Sequence, residues 1–381
     1  MNDKYLKTLE YFKIIDIIAD YAQSAYAKEL ISQIKPETEL EVISNLLNHA
    51  NDVIELLLRK GSPDFEGIRN VDGISKRLKI SATLSNSELL VIRDNLYLAR
   101  LAKEYNKEKN ILDEVKENLI KNIFNELIVV RHLEDEIRRC ILSNEEIADD
   151  ASPELFRIRR SIVNFKAQVK DKLNSFIKSE KYKKYIQDSI ITVRSDRYVI
   201  PVKREYSSEI KGIVHDMSSS GATLFVEPDV IVSINNKVRE LMVEEKTEIN
   251  RILSVLSALS LKHIDDISSN FMLMTTLDVF YAKGKFALDY QCVIPKVNQH
   301  KYINIISGRH PLISKEHVVP IDFYIGDKFN TLVITGPNTG GKTVSLKTVG
   351  LLTLMTQSGI PIPAKSGSEI AIFEKVCADI G

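Results

Sequence analysis

The sequence predicts a mainly α-helical protein whose C-terminal part is α/β. Apolar residues follow a helical period through most of the first 290 residues. Short β-rich segments interrupt this pattern between residues 190 and 226. After residue 330, an apolar segment, a glycine-rich loop and an amphipathic helix follow one another, which is typical of the start of an α/β domain.

The composition is that of a large globular protein, with 381 residues of which 44% are hydrophobic and 27% charged. The 52 basic and 52 acidic residues cancel, so a polyanion site must be a local patch. The three cysteines lie far apart without a CxxC pair, which argues against a disulfide framework and a zinc ribbon. Because the start is mixed in charge and no apolar run approaches the ~20 residues that span a bilayer, we expect a cytoplasmic protein without a membrane partner.

Residues 1–152 form the first predicted domain, a helical core. Apolar residues recur at helical spacing over Leu6–Ile31, Leu40–Lys60, Asn86–Tyr105 and Ile111–Leu142. Glycine and proline separate these stretches as loops. No motif in this domain suggests a chemical role, so we interpret it as a scaffold.

Two long antiparallel helices are predicted next. The first, the ascending lever helix, covers residues 153–187. The second, the descending lever helix, begins at residue 229, and the rest of the helical core follows it up to residue 292. From Pro153, apolar residues form a heptad-like seam along a helix of about 33 residues. A second helical pattern follows Pro228, and the polar Glu245 weakens its seam midway. The first seam consists of Leu155, Ile158, Ile162, Phe165, Val169, Leu173 and Phe176.

A small β-rich domain is predicted between the levers, at residues 188–228. Ile190–Arg194, Tyr198–Val202, Ile210–Val214 and Ala222–Val226 are short and rich in Ile, Val, Tyr and Thr. Turn-forming residues separate them. We therefore predict four strands at the far end of a helical arm.

The same region is locally basic. Between Lys170 and Lys211 there are eleven Lys or Arg residues against six Asp or Glu residues. Composition alone leaves two interpretations open: a solvated helix end and turn, or a surface that binds nucleic-acid phosphates without reading bases. The predicted phosphate contacts are Arg194, Arg197, Lys203, Arg204 and Lys211.

Residues 293–381 begin the predicted α/β domain. Strand-like segments occur at Tyr302–Ile306, Phe323–Ile325 and Thr331–Thr335. A helix from Lys342 to about Gln357 follows a glycine-rich loop, and Gly359 and Pro361 end it.

The loop between the last predicted strand and this helix satisfies the pattern GxxxxGK[ST]. Glycines allow successive backbone N–H groups to converge on an anion at a helix N-terminus. Lys342 is placed to reach the β- and γ-phosphates, and the hydroxyl of Thr343 can ligate Mg²⁺. We predict ATP and Mg as cofactors, with the nucleotide held by Gly336, Pro337, Asn338, Thr339, Gly340, Gly341, Lys342 and Thr343. Asn338 either orients water near the γ-phosphate or shapes the loop.

The amino-acid sequence of this loop is more specific than the general pattern. Thr335-Gly-Pro-Asn-Thr-Gly-Gly-Lys-Thr343, with two glycines before the lysine, resembles the MutS family of DNA-repair ATPases. Leu277-Asp-Val-Phe-Tyr-Ala-Lys-Gly284 and Gly308-Arg-His-Pro311 resemble two upstream segments of that family. The segments Ile190–Val202 and Met217–Pro228 resemble the clamp of its second bacterial lineage.

The resemblance implies a fold and a function. It implies a helical core, lever helices, a β-rich clamp and the beginning of a P-loop ATPase domain. The implied activity is a nucleotide-gated nucleic-acid clamp and ATP hydrolase, with Lys342 and Asn338 as catalytic residues and a second copy as partner. The implied cargo is branched DNA, where binding suppresses recombination, or stalled ribosomes, through rRNA; the sequence does not choose. The family stacks an aromatic residue on adenine, and Val318 or Val319 takes that position here, so we expect weak base stacking.

Other functions remain open beside this one. The lineage is also described as an endonuclease, with cleavage attributed to a C-terminal Smr-type domain. Mismatch-repair MutS is a less favoured alternative, because helices begin at once and the one Phe-x-Glu, Phe124-Asn-Glu126, sits in a helical pattern. A structural coiled-coil module with a degenerate nucleotide site is the last alternative. Since the chain stops about 40 residues beyond the loop, before the second acidic strand motif, we expect it not to turn over ATP alone.

His310 and the turn at Ser218–Gly221 are interpreted as structural. His310 either packs at the domain edge or lines the nucleotide pocket, and we favour packing. The serine-rich turn lacks a recognisable His–Asp partner, so a tight turn is a better interpretation than a nucleophile.

Overall fold

The computed structural model describes residues 2–107, 119–336 and 341–379. Two compact units divide the chain, and each is described by itself. Unit 1 comprises residues 1–76, 91–134 and 263–381, and unit 2 comprises residues 77–90 and 135–262. The helices are α1 (Asp3–Thr8), α2 (Tyr11–Asp20), α3 (Ala25–Ser32), α4 (Leu40–Lys60), α5 (Asp72–Lys79), α6 (Asn86–Lys107), α7 (Leu119–Glu126), α8 (Arg131–Cys140), α9 (Pro153–Lys178), α10 (Asp229–Lys262), α11 (Ile264–Asp289) and α12 (Lys342–Gln357). The strands are β1 (Thr192–Arg194), β2 (Arg197–Lys203), β3 (Gly212–Met217), β4 (Thr223–Pro228), β5 (Lys296–Asn298), β6 (Ile303–Gly308), β7 (Ile321–Ile325) and β8 (Glu369–Ala371).

Helix α11 is the central element of unit 1. Its buried residues, among them Phe271, Leu277 and Phe286, occur around much of its circumference rather than on one stripe. It packs against α2, α3, α4 and α7. A helix that is apolar nearly all round is stable only inside a core, so α11 defines the centre of this unit.

Polar residues of α11 bind the backbone of three other segments. Asn270 accepts a hydrogen bond from the N–H of Ile128 at 2.9 Å and donates to its carbonyl at 2.7 Å. The buried carboxylate of Asp278 accepts from the N–H and the hydroxyl of Ser24, both at 2.7 Å, at the start of α3. Lys283, also buried, donates from Nζ to the carbonyl of Ser358 at 2.9 Å. Each contact satisfies a backbone group that would be costly to bury unpaired.

The sheet of unit 1 has the strand order β5-β8-β6-β7. Strands β5 and β8 are parallel, whereas β6 is antiparallel to both β7 and β8. Helix α12 contacts β8, and its C-terminal half is buried from Leu351 to Gln357. The prediction of a mainly α protein with an α/β part is therefore confirmed at this coarse level.

The prediction of a strand at Thr331–Thr335 is wrong. These residues pair with none of the strands that the structure describes. Their apolar side chains are exposed, and Val333 is 77% exposed. A strand is stabilised by ladder hydrogen bonds and by side-chain burial on a sheet, and this segment has neither source of stability within the described ranges.

The secondary structure described in the first 152 residues is mainly helical, but the boundaries differ from the predicted ones. The predicted stretch Ile111–Leu142 contains the two helices α7 and α8, and residues 108–118 lie outside the described residues. The break between α7 and α8 is held by the contacts of Asn270 with Ile128. Phe124, the phenylalanine of the Phe-x-Glu sequence, is fully buried on α7.

Helices α9 and α10 of unit 2 pack antiparallel. The start of α9 meets the middle of α10 through Ile158 and Leu241, and its end meets the start of α10 through Leu173 and Ile231. The polar Glu245 does not simply interrupt the seam, because its carboxylate accepts from Arg159 Nε at 2.7 Å.

Helix α9 is shorter than the predicted lever at 153–187. It ends at Lys178, and the following residues form turns up to Ile186, which bridges Val202 of β2. The ring of Tyr182 stacks on Phe176 in the last turn of α9, with centroids 4.1 Å apart. Packing of this aromatic pair and pairing with β2 turn the chain back onto the sheet.

The β-rich domain of unit 2 is an antiparallel sheet with the order β1-β2-β4-β3. Its four strands overlap the four predicted segments within a few residues. An irregularity between Val214 and Asp216 bends the edge strand β3. Ile200, Val202 and Val226 form the core of the sheet with the ends of α9 and α10.

Within the described residues, no helix combines the length and the apolar character needed to cross a membrane.

The pH dependence of stability tests the environment of Lys283. Burial lowers the pKa of this lysine to about 8, so between about pH 8 and 10.5 the unfolded chain binds more protons than the folded chain. Stability therefore rises with pH in this window. We expect the free energy of unfolding of wild type, minus that of Lys283→Met, to rise by about 2 kcal/mol between pH 7.5 and 10. Urea denaturation followed by circular dichroism measures the difference.

The exposed residue Lys28 provides the control for this experiment. The difference between wild type and Lys28→Met should stay constant over the same pH range. Parallel curves for wild type and Lys283→Met would show that the amine is not desolvated.

Candidate nucleotide site and nucleic-acid surface

The glycine-rich loop ends at the N-terminus of α12. Gly341 precedes the helix in the left-handed conformation, with φ of 78°, and as a glycine it has no side chain to cap the first turn. The N–H groups at the start of a helix lack partners within the helix, so they can bind an acceptor from outside it. Among the described residues, no atom lies within 4 Å of a Cβ added at Gly336 or Gly341. The predicted residues Pro337, Asn338, Thr339 and Gly340 lie outside the described residues.

Lys342 and Thr343 lie in the first turn of α12. Lys342 Nζ donates to the carbonyl of Gly336 at 2.5 Å. This hydrogen bond connects the residue that follows the loop to the residue that begins it. Thr343 is exposed and lines a cavity of about 430 Å³. A lysine ammonium, a threonine hydroxyl and free helix N–H groups are the donor set that a phosphate with Mg²⁺ requires, so the residues present fit both groups.

A second cavity, of about 650 Å³, is lined mainly by residues 309–320, which precede the glycine-rich loop in the chain. Val318, the predicted base contact, lines it together with Arg309 and Pro320. Val319 is 80% exposed and lies outside its lining. His310 lines both cavities, as do Leu312 and Ile313, so the two spaces adjoin.

His310 is packed, the role that we favour from the sequence, and it also lines both cavities. It is 5% exposed, and its Nδ1 accepts from the N–H of Leu312 at 3.3 Å. Burial lowers the pKa of His310, which favours a neutral imidazole at pH 7. A packed, neutral ring thus forms part of the wall between the two cavities.

Sequence reasoning missed two residues of this site at the start of α2, namely Glu10, which precedes the helix, and Lys13 in its first turn. Glu10 and Lys13 line the smaller cavity with Thr343 and Lys347. The Glu10 carboxylate accepts from Lys13 at 2.6 Å and from Lys347 at 3.1 Å, and hydrogen bonding to Lys13 is the main reason that its pKa is lowered. No local motif identifies Glu10, because its partner on α12 is more than 300 residues away in the chain.

The other end of α12 is fixed in the core of unit 1. The hydroxyl groups of Tyr11 and Ser358 lie 2.7 Å apart. The buried amide of Gln357 donates to the carbonyls of Glu37 and Phe373 at 2.6 and 3.0 Å. Lys283 donates to the carbonyls of Ser358 and Gly359, which follow the last residue of α12 at the negative end of the helix dipole. Helix α12 is therefore exposed at the glycine-rich loop and held by several polar contacts at its far end.

Arg197, one of the predicted phosphate contacts, belongs to a buried polar network. Its guanidinium donates twice to Glu227, at 2.8 and 3.0 Å, and once to Asn236 at 2.7 Å. Glu227 is fully buried and also contacts His215 at 2.6 Å and Asn235 at 2.8 Å. The charge of Arg197 is thus directed at an internal carboxylate.

The other predicted phosphate contacts differ in exposure. Arg194 pairs with Asp216 at 3.0 Å and lies over the ring of Phe225. Lys203 is half-buried and donates to the carbonyl of Lys184. Arg204 and Lys211 are exposed. Four more lysines of this basic region are exposed, namely Lys178, Lys181, Lys183 and Lys184.

Comparison with known proteins finds relatives over the whole length of the chain. Residues 332–381 match the family described as MutS domain V. Over all of its 381 residues, the chain is 48% identical to a protein named Endonuclease MutS2 from Ruminiclostridium cellulolyticum, of which it covers 48%. Its identity to the proteins of that name from Acetivibrio thermocellus and Clostridium botulinum is 47% and 44%, again with 48% of each covered.

The chain belongs to the MutS family of proteins. Within that family its similarity is to the lineage of MutS2, because proteins of that name match it from end to end. The chain spans about half the length of these relatives.

The role of Arg197 is tested by its effect on stability. Arg197→Met would leave Glu227 buried without its main partner, which typically costs about 3–5 kcal/mol. Lys211→Met, an exposed substitution in the same domain, should change stability by less than about 0.5 kcal/mol. Denaturant titrations of both variants measure these values. Equal stability of the two would assign Arg197 to the surface instead.

Proposed function

We propose that the chain binds ATP with Mg²⁺ between the glycine-rich loop and the residues 309–320. The observation that carries this proposal is that Thr343, next to Lys342 in the first turn of α12, lines the smaller of two adjoining cavities. The smaller cavity supplies cations beside the loop, and the larger one offers an apolar wall for a base.

Each residue has a role that follows from its chemistry. The N–H groups of the first turn of α12 would bind phosphate oxygens, and Lys342 would exchange the carbonyl of Gly336 for the β- and γ-phosphates. Thr343 would hold Mg²⁺, which when bound offsets the charge of the phosphates. Val318 offers only aliphatic contact to a base, so selectivity among nucleotides would be modest. Asn338 would orient water at the γ-phosphate.

We further propose that the β-rich domain is a clamp for nucleic acid and that a second copy of the chain is its partner. Exposed lysine and arginine side chains support phosphate contacts, whereas Arg197 is used inside the domain. Such contacts bind without reading sequence. The cargo is branched DNA, stalled ribosomes through rRNA, or both, since both present phosphate backbones.

The geometry suggests how nucleotide binding would control this clamp. Helix α12 begins at the nucleotide and ends against Lys283 of α11. Helix α11 follows the lever α10 in the chain. A displacement of α12 on binding ATP would therefore act on α11, and through the chain on the lever.

Removing the lysine of the loop tests nucleotide binding. A hydrogen bond to a charged group contributes about 1.5–3 kcal/mol, so Lys342→Ala should weaken binding about 10- to 100-fold. The measurement is anisotropy of a fluorescent ATP analogue with Mg²⁺. Lys365→Ala, at an exposed lysine of the same unit, is the control and should bind as wild type does. Undiminished binding by Lys342→Ala would contradict the site.

Replacing exposed lysines tests the clamp. The triple variant Lys181→Gln, Lys183→Gln and Lys184→Gln should weaken duplex binding and make it less sensitive to salt. The slope of log affinity against log salt should fall by about 0.9 for each lost contact. The control is Lys4→Gln, Lys7→Gln and Lys28→Gln, which removes the same charge from unit 1. An equal effect of both triples would indicate attraction by net charge alone.

The name of the relatives favours a second candidate function, endonuclease activity. The chain covers 48% of those relatives, so we propose that cleavage resides in a Smr-type domain of the longer proteins. A plasmid nicking assay with Mg²⁺ or Mn²⁺ compares this chain with a full-length relative. Cleavage by this chain would instead place the nuclease within its own 381 residues.

Crosslinking in cells distinguishes the cargoes. Sequencing of the nucleic acid attached to the protein should show ribosomal RNA for a ribosome-engaging ATPase and recombination intermediates for a genome-maintenance protein. Neither above background would refute the clamp.

A further inference from the structure

The segment 179–186, between α9 and β1, alternates tyrosines with lysines. Its tyrosine rings are half-buried and its lysine side chains are exposed. Tyr206, in a short 3-10 helix after β2, packs against one of these rings with centroids 5.1 Å apart. We call these residues the aromatic–lysine surface, which consists of Tyr182, Tyr185, Tyr206, Lys181, Lys183 and Lys184.

The backbone of this surface is tied to the sheet. Ile186 bridges Val202, and the N–H of Lys203 donates to the carbonyl of Tyr185 at 2.9 Å. The ring of Tyr182 lies nearly parallel to that of Phe176, at 11°. The tyrosine rings are therefore held in place before any ligand arrives, which reduces the entropy lost on binding.

Lysine ammonium groups lie over two of the rings. Lys181 Nζ lies 5.0 Å from the ring centroid of Tyr182, and Lys184 Nζ lies 4.9 Å from that of Tyr185. A cation over a ring that is partly open to solvent contributes less than a nucleobase stacked on an aromatic side chain. A base can therefore displace the lysine, and the released ammonium group can bind the adjoining phosphate.

The charge of this surface suits a polyanion. Residues 178–185 contain four lysines and one acidic residue, Glu180. The nearby arginines Arg194 and Arg197 are engaged by Asp216 and Glu227. The lysines beside the tyrosines, with the exposed Arg204 of the same short helix as Tyr206, therefore supply positive charge for phosphates at this end of the domain.

We propose that the aromatic–lysine surface binds unpaired nucleotides by stacking bases on Tyr182 and Tyr185 while the lysines contact phosphates. The proposal rests on the proposed clamp function and specifies its substrate class. A base inside a duplex is stacked on its neighbours and cannot reach these rings, so the ligand is a single-stranded segment of DNA or RNA. Stacking uses the face of a base and does not depend on its identity.

The test measures binding of the whole chain to three ligands: a single strand, an abasic strand of the same length, and a duplex. The abasic strand keeps the phosphates and lacks the bases. We expect wild type to bind the base-containing strand about 5- to 100-fold more tightly than the abasic strand. In Tyr185→Leu this ratio should fall toward one, while duplex affinity changes less than about twofold. Tyr185→Phe keeps the ring and should behave as wild type does.

A matched control exists on α6. Tyr97 is 43% exposed and lies 5.1 Å from the guanidinium carbon of Arg100, so it repeats the ring-and-cation arrangement outside the basic region. Tyr97→Leu should leave all three affinities unchanged. If Tyr185→Leu fails to fold, quenching of a 2-aminopurine base by wild type reports stacking without any substitution.

The outcomes separate the two proposals. Equal affinity of wild type for the abasic and base-containing strands, with no quenching, overturns the stacking surface and leaves the clamp intact. Failure of wild type to bind any of the three ligands overturns the clamp and the surface together. Parallel DNA and RNA strands show which single strand is preferred.

Discussion

The burial of α11 is the constraint on which unit 1 depends. A helix surrounded by protein cannot leave a polar side chain without a partner, because an unpaired buried group costs more than its hydrogen bond contributes. Asn270, Asp278 and Lys283 each meet this requirement by binding the backbone of another segment. The same three residues therefore determine where a loop, the start of α3 and the end of α12 lie.

This arrangement gives α12 two ends with opposite properties. Its first turn lies beside an open cavity, and its last turn is buried and held by hydrogen bonds of Lys283 and Gln357. Lys283 carries its charge at a cost, since burial lowers its pKa to about 8 and its hydrogen-bond partners there are carbonyl groups.

Periodicity and turn chemistry predicted the helices and the small sheet because those signals are local. The seam of α9 and the bounds of α12 follow directly from side-chain spacing. The strand at Thr331–Thr335 was predicted wrongly, since an apolar run specifies a strand only when neighbouring strands exist to pair with it. The place of Glu10 in the cavity beside Thr343 was not predictable, because its partner Lys347 lies on a helix that the fold alone brings near.

The basic region shows the same limit for charge. A count of lysines and arginines treats Arg197 and Lys184 alike, yet one neutralises a buried carboxylate and the other lies over an exposed ring. Buried Glu227 needs a cation inside the sheet, so part of the positive charge of this region serves the fold. What remains for a polyanion lies on residues 178–184 and on Arg204 and Lys211. Tyrosines accompany the lysines of the first of these places, and Tyr206 lies beside Arg204 and packs against Tyr185, so charge and aromatic rings occur together at this end of the domain.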